Sequence, residues 1–264
     1  MQARVLTALA GITCLLILIG FGRPWQFSLF IFILTFGALC EYFFIAFPDR
    51  WKERVLGILF GVVISLMVLY PMLPEPGLFL AGVLIVAFSV FLFFGGGLEE
   101  RYQHLGWTVI GAFYIGYLFP HFALIYRGPS GTEWVFFVLL VVMAGDTAGY
   151  LIGMVLGKRK LYPRISPGKT VVGSLSSLGA SVLAGLLGAM FLTFNLHWAE
   201  VLMLSLILSF LGQLGDLFES WIKRVFSVKD AGRILPGHGG LLDRLDSLIF
   251  PAVFTTYYVR LLHS

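Results

Sequence analysis

The sequence predicts an all-α, polytopic integral membrane protein of about nine transmembrane helices with a cytoplasmic N-terminus, a single transmembrane domain over residues 1–264. Three observations carry this expectation. Of the residues, 59% are hydrophobic and 12% charged, about half the charge of a typical water-soluble domain. Apolar runs recur from end to end, each long enough for the roughly 20 helical residues that a bilayer crossing takes. Lysine and arginine concentrate in alternate breaks between those runs.

In order, the runs lie at about residues 5–21, 25–47, 54–73, 77–94, 106–126, 134–156, 171–192, 197–221 and 243–262. The first follows MQAR and has no A-x-A cleavage site behind it, so it reads as a retained helix rather than a secretory signal. Cys14 and Cys40 fall inside runs and read as small buried hydrophobes. Glu41, near the end of run two, is expected to pair with a helix neighbour, and Glu99, Glu100 and His104 to form a solvated turn. In run six, Gly145, Gly149, Gly153 and Gly157 repeat every fourth residue, a smooth ridge for close helix packing that Asp146 borders. With nine spans, the N-terminus and the even-numbered loops share one side and hold 15 of the 18 Lys and Arg. Only Arg23, Arg127 and Arg260 fall on the other. The basic side is the cytoplasmic one, which puts the C-terminus outside.

Carboxylates in or at the rim of a span are costly and therefore functional suspects. Asp146 is one. Asp216, late in run eight, is followed by Glu219, Ser220 and Lys223 at helical spacing, so one polar stripe leads from the membrane into the next loop. Asp243 and Asp246 stand three apart where run nine begins. At about 1.5 Å per residue, Asp216 is roughly 10 Å inside Lys223, and Asp246 descends from the same surface to a similar level. Asp216, Asp243 and Asp246 can therefore converge. Oxygen ligands without His or Cys at ligand spacing suit Mg²⁺ or another hard cation rather than zinc, with a second cation left open. Around them stand Lys223, Arg224, Lys229, Arg233 and Arg244, and His238 beside Gly239 and Gly240, as phosphoryl or nucleotidyl transfer requires. The 158–169 loop adds a second basic cluster, in which Lys169 is a candidate contact to a headgroup or nucleotide. Its GKT is no phosphate-binding P-loop, because position 163 is Pro where that motif needs Gly.

The stretch from Ser220 to Asp246, SWIKRVFSVKDAGRILPGHGGLLDRLD, resembles the signature of the phosphatidate cytidylyltransferases, or CDP-diacylglycerol synthases. Ser220, Lys223-Arg224, Lys229-Asp230, Gly232, Leu235-Pro236, His238-Gly239-Gly240 and Asp243-Arg244-x-Asp246 fill every fixed position. One departure is visible: where that family usually carries Glu-Gly after its SP-x-KT segment, this chain has Val172-Gly173. The resemblance implies transfer of CMP from CTP to phosphatidic acid with a divalent metal, at a catalytic signature over 216–247 facing the cytoplasm from a bacterial-type inner membrane. It implies metal ligation by Asp216, Asp243 and Asp246, and phosphate contacts by Lys223, Arg224, Lys229 and Arg244. His238 would meet the leaving group and Asp230 would orient a neighbouring cation. Ser220, Lys169, Asp146, Gly239 and Gly240 are the expected substrate-binding set. CTP, the lipid phosphate and the bilayer are the expected partners, no nucleic acid is, and homo-oligomerisation is left open. The rival readings are a transporter using Asp146 and Asp216 as coupling sites, for which no internal repeat is visible, and a cytidylyltransferase acting on an ether-lipid phosphate.

Overall fold

The computed structural model describes residues 13, 15–70, 75–93, 96–193, 196–232 and 239–262. A short N-terminal segment, α1 (15–21), is followed by α2 (Pro24–Ala46), α3 (Trp51–Leu69), α4 (Pro76–Phe93), α5 (Leu98–Gly111), a π-helical stretch (Ala112–Leu118) and α6 (His121–Arg127). Then come α7 (Gly131–Leu156), strands β1 (Lys160–Tyr162) and β2 (Ser166–Thr170), α8 (Val171–Ala189), α9 (Trp198–Val225) and α10 (Leu242–Leu262). Among the described residues, six segments are long and apolar enough to cross a membrane: α2, α4, the segment Leu98–Arg127, α7, α8 and α9. The helices α3 and α10 match runs three and nine in position, at 19 and 21 residues, but α3 carries Lys52, Glu53 and Arg54 in its first turn, and α10 is less apolar and carries Asp243, Arg244, Asp246 and Arg260. Most of run one lies outside the described residues.

Local chemistry sets several helix starts. Pro24 opens α2, and the Gln26 side chain accepts from the Arg23 amide, satisfying a donor that the first turn leaves free. Thr170 caps α8 by accepting from the Gly173 amide at 3.1 Å. At α9, the Glu200 carboxylate accepts from the His197 amide at 3.0 Å.

Three local expectations are corrected. Residues 98–104 form the first turns of α5 rather than a solvated turn, and Arg50 bridges Glu100 and Glu53 there. The basic loop after α7 contains an antiparallel hairpin, β1 with β2, the one sheet among the described residues. Run five is interrupted: its middle is π-helical, and α6 restarts after Pro120. Proline supplies no N–H to an i→i−4 bond, so the ladder breaks at that point.

The glycine ridge of α7 packs as expected. A Cβ on Gly149 or Gly153 would meet the backbone of Gly173 at 3.2–3.3 Å, and one on Gly145 would run into Ser177 and Ser181. The backbones of α7 and α8 approach closely because no side chain stands between them. Ser181 takes advantage of this, donating to the Val141 carbonyl at 2.8 Å.

Contacts between loops sort them to two ends of the bundle. At one end Arg50 meets Glu100, Arg224 donates to the Ile165 carbonyl, and Glu41 accepts from the Leu242 amide. At the other, Arg127 binds Ser28 and the Leu69 carbonyl, and Glu133 binds Thr193. The first end carries the basic loops.

Candidate active site

The signature's two helices are brought together by a missing side chain. A Cβ on Gly215 would stand 2.2 Å from the Asp246 carbonyl, so α9 and α10 touch backbone to backbone there. Asp216 and Asp246 consequently face a common space. Tyr114, from the π-helical stretch, lies beneath them and donates to the Gly215 carbonyl at 3.4 Å.

That space is a cavity of about 1030 Å³. Asp146, Asp216, Asp243 and Asp246 all line it, with Lys169, Lys223 and Arg244. The sequence groups Asp216, Asp243 and Asp246 with Lys223 and Arg244; the fold adds Asp146 and Lys169 to the same lining. Lys169, at the end of β2, places its ammonium 2.7 Å from Asp216. Ser220 donates to the other Asp216 oxygen at 3.4 Å. Lys223 lies 2.7 Å from Asp243 and 2.6 Å from Glu219, whose carboxylate is fully buried. Asp243 also accepts from the Ala231 and Gly240 amides at 3.1 and 2.9 Å, and so closes the described ends of the loop between α9 and α10 onto α10. Asp246, 8% exposed, accepts from the Ser247 amide at 2.8 Å.

The arrangement can place several positive charges around an anionic ligand, with carboxylates behind them. As a donor set, four carboxylates without imidazole or thiolate fit a hard cation. They are spread around the cavity: among the described residues no group of three or more His, Cys, Asp or Glu is arranged to hold a metal ion.

Other sequence-expected residues fall elsewhere. Arg224 is exposed and ties the β-hairpin to α9 through Ile165. Lys229 and Asp230 are exposed and do not line the cavity. Gly239 has φ +89° and Gly240 fits against Asp243. His238 and Arg233 lie outside the described residues. Two groups went unassigned by the sequence reading. Glu219 was visible in the polar stripe, and its place beneath Lys223 follows from i,i+4 spacing. Glu41 is expected from the sequence only to pair with a helix neighbour; that it accepts from the Leu242 amide has no local signal.

The cavity's other wall is apolar. Leu15, Leu139, Leu245 and Leu248 line it, as do Met143, Tyr150 and Met154 from a face of α7 that is exposed in the bundle.

The fold and site define a polytopic helical bundle with a charged, carboxylate-lined cavity at the end that carries the basic loops. A family model described as "Cytidylyltransferase family" matches residues 2–262, and the chain belongs to that family. Among similar proteins, a phosphatidate cytidylyltransferase of Staphylococcus saprophyticus is 47% identical over 137 residues, covering 52% of this chain and 53% of that one. The phosphatidate cytidylyltransferase of Staphylococcus aureus is 46% identical with the same coverage. That of Staphylococcus epidermidis is 37% identical over 199 residues, covering 72% of this chain and 75% of that one. The chain thus spans about half the length of the first two relatives and three quarters of the third.

Proposed function

We propose that the protein transfers CMP from CTP to phosphatidic acid, giving CDP-diacylglycerol and pyrophosphate. The observation that carries this reading is the single cavity in which the signature's acids and bases meet Asp146 and Lys169 beside an apolar wall. A phosphate oxygen of the lipid attacks the α-phosphorus of CTP. The bond from that phosphorus to its β-bridging oxygen breaks, and the electron pair leaves with pyrophosphate. The lipid phosphate is already an anion near neutral pH, so the protein's task is alignment and neutralisation rather than activation of a nucleophile.

Lys169, Lys223 and Arg244 hold phosphate oxygens in this account. Arg224, Lys229 and His238 are assigned to the phosphates on the strength of the signature alone, and Asp230 to orienting one of the cations. Asp216, Asp243 and Asp246 would hold Mg²⁺, supported by their all-oxygen chemistry and shared cavity. When bound, the ion would neutralise triphosphate charge and stabilise the leaving group. Ser220 holds Asp216 in place, Gly239 and Gly240 let the backbone approach a phosphate, and Asp146 faces the nucleotide. The acyl chains lie along the exposed face of α7, where Met143, Tyr150 and Met154 offer an apolar path from the leaflet. The nine spans, the cytoplasmic N-terminus and the cytoplasm-facing site in a bacterial-type inner membrane belong to the same proposal. They are supported by the gathering of the basic loops at one end of the bundle.

Purified protein in mixed micelles is expected to release pyrophosphate only when CTP, Mg²⁺ and phosphatidic acid are all present, and to stop when EDTA is added. Release without lipid, or none with any lipid phosphate, would overturn the reading.

A further inference from the structure

We propose that Glu41 of α2 is a positioning residue for the reaction, one that sets the height of α10 and thereby of Asp243 and Asp246. The inference rests on the cytidylyltransferase reading above. Glu41 is 4% exposed and lies within a membrane-spanning helix, where a carboxylate is retained only at a cost. Its Oε2 accepts from the Leu242 amide at 2.9 Å, a contact across 201 residues of sequence. Leu242 is the first residue of α10, so this carboxylate takes up one of the donors that a helix start leaves free and sits where the helix dipole favours negative charge.

The backbone around it is shaped to admit it. A Cβ on Gly232 would stand 2.3 Å from Glu41 Oε1, and one on Gly240 would stand 2.8 Å from Oε2. One turn earlier on α2, Gly37 makes room for the Leu241 side chain, 2.7 Å from where a Cβ would be. Glu41 therefore touches both described ends of the signature segment, at Gly232 and at Gly240–Leu242. Asp243 joins the same two ends from the other side through the Ala231 and Gly240 amides. Glu41 does not line the cavity. It acts through the backbone: Asp243 and Asp246 occupy the first turns of α10, so fixing Leu242 fixes how far both descend relative to Asp216 on α9.

The test uses the full-length protein in detergent–lipid micelles. Glu41→Ala is expected to lower kcat for pyrophosphate release roughly a hundredfold, as a misplacement of about 1 Å does, with KM for CTP little changed and the helical signal retained. Glu41→Gln, which keeps an acceptor oxygen, is expected to recover most of the loss. Gly232→Ala pushes a methyl into Glu41, so it should lower kcat in the parent protein and add nothing in the Glu41→Ala background. Amide exchange over residues 239–245 should rise in Glu41→Ala whether or not the substrate assignment is right. The proposal is overturned by kcat within about twofold of the parent in folded Glu41→Ala, by losses from Gly232→Ala and Glu41→Ala that simply multiply, or by unchanged exchange. An inactive parent protein would instead sink the proposed function, leaving exchange to decide the role of Glu41.

Discussion

Lys223→Met is expected to abolish pyrophosphate release and to destabilise the bundle together. The Lys223 ammonium stands between Glu219 and Asp243, at 2.6 and 2.7 Å, and the three side chains are 13%, 0% and 14% exposed. Removing the cation leaves the buried Glu219 carboxylate facing the mostly buried Asp243, and losing one partner of a buried pair costs about 3–5 kcal/mol. That is a large share of a net stability of about 5–15 kcal/mol. Methionine fills a similar volume, so the loss reports charge and not a cavity. Adding Glu219→Gln to the Lys223→Met protein removes one of the stranded charges. The double variant should regain part of the lost thermal stability and none of the activity, because the phosphate contact is still missing. Thermal unfolding and pyrophosphate release on the same samples check both halves, and a stable, active Lys223→Met protein would contradict the assignment.

Asp246→Asn is expected to have the opposite effect on stability and a similarly large effect on activity. Asp246 is nearly fully buried and lines the same cavity as Asp216 and Asp146, so the three carboxylates repel one another. The amide is isosteric and retains a carbonyl oxygen to accept from the Ser247 amide. Neutralising it relieves repulsion, so the unfolding temperature should hold or rise. Turnover should fall on the order of a hundred- to a thousandfold, the scale seen when one preorganised electrostatic contact to a transition state is removed. Stability gained where activity is lost marks a charge kept for function. If Asp246→Asn instead unfolds the protein, the carboxylate has a structural role.

These two residues also illustrate how much could be read from the sequence. Helix ends were legible because polar breaks and proline mark them: runs 25–47 and 134–156 became Pro24–Ala46 and Gly131–Leu156. Asp216, Glu219, Ser220 and Lys223 share a face because helical spacing dictates it, and the contacts of Ser220 and Lys223 along α9 follow. The π-helical stretch at Ala112–Leu118 was hidden, since hydropathy is the same whichever carbonyl an amide reaches. The hairpin at 160–170 was hidden because its strands, KLY and SPGKT, are short and carry no alternating apolar pattern. Asp243 and Asp246 looked equivalent at three-residue spacing, yet Asp243 is engaged by Lys223 and two loop amides while Asp246 faces Asp216 across the cavity. Glu41 was the least legible. Its partners are 190 and more residues away, and only the helix packing of α2 against α10 shows what it holds.

The most direct measurement of the central claim follows the label from CTP in the purified, lipid-reconstituted protein. CTP labelled at the α-phosphate should deliver its label to the lipid extract in proportion to the pyrophosphate formed, and CTP labelled at the γ-phosphate should leave all of it in the aqueous phase. Label from the γ-position in the lipid would make the protein a kinase, and α-label that stays aqueous would make it a hydrolase; either result contradicts nucleotidyl transfer to a lipid phosphate.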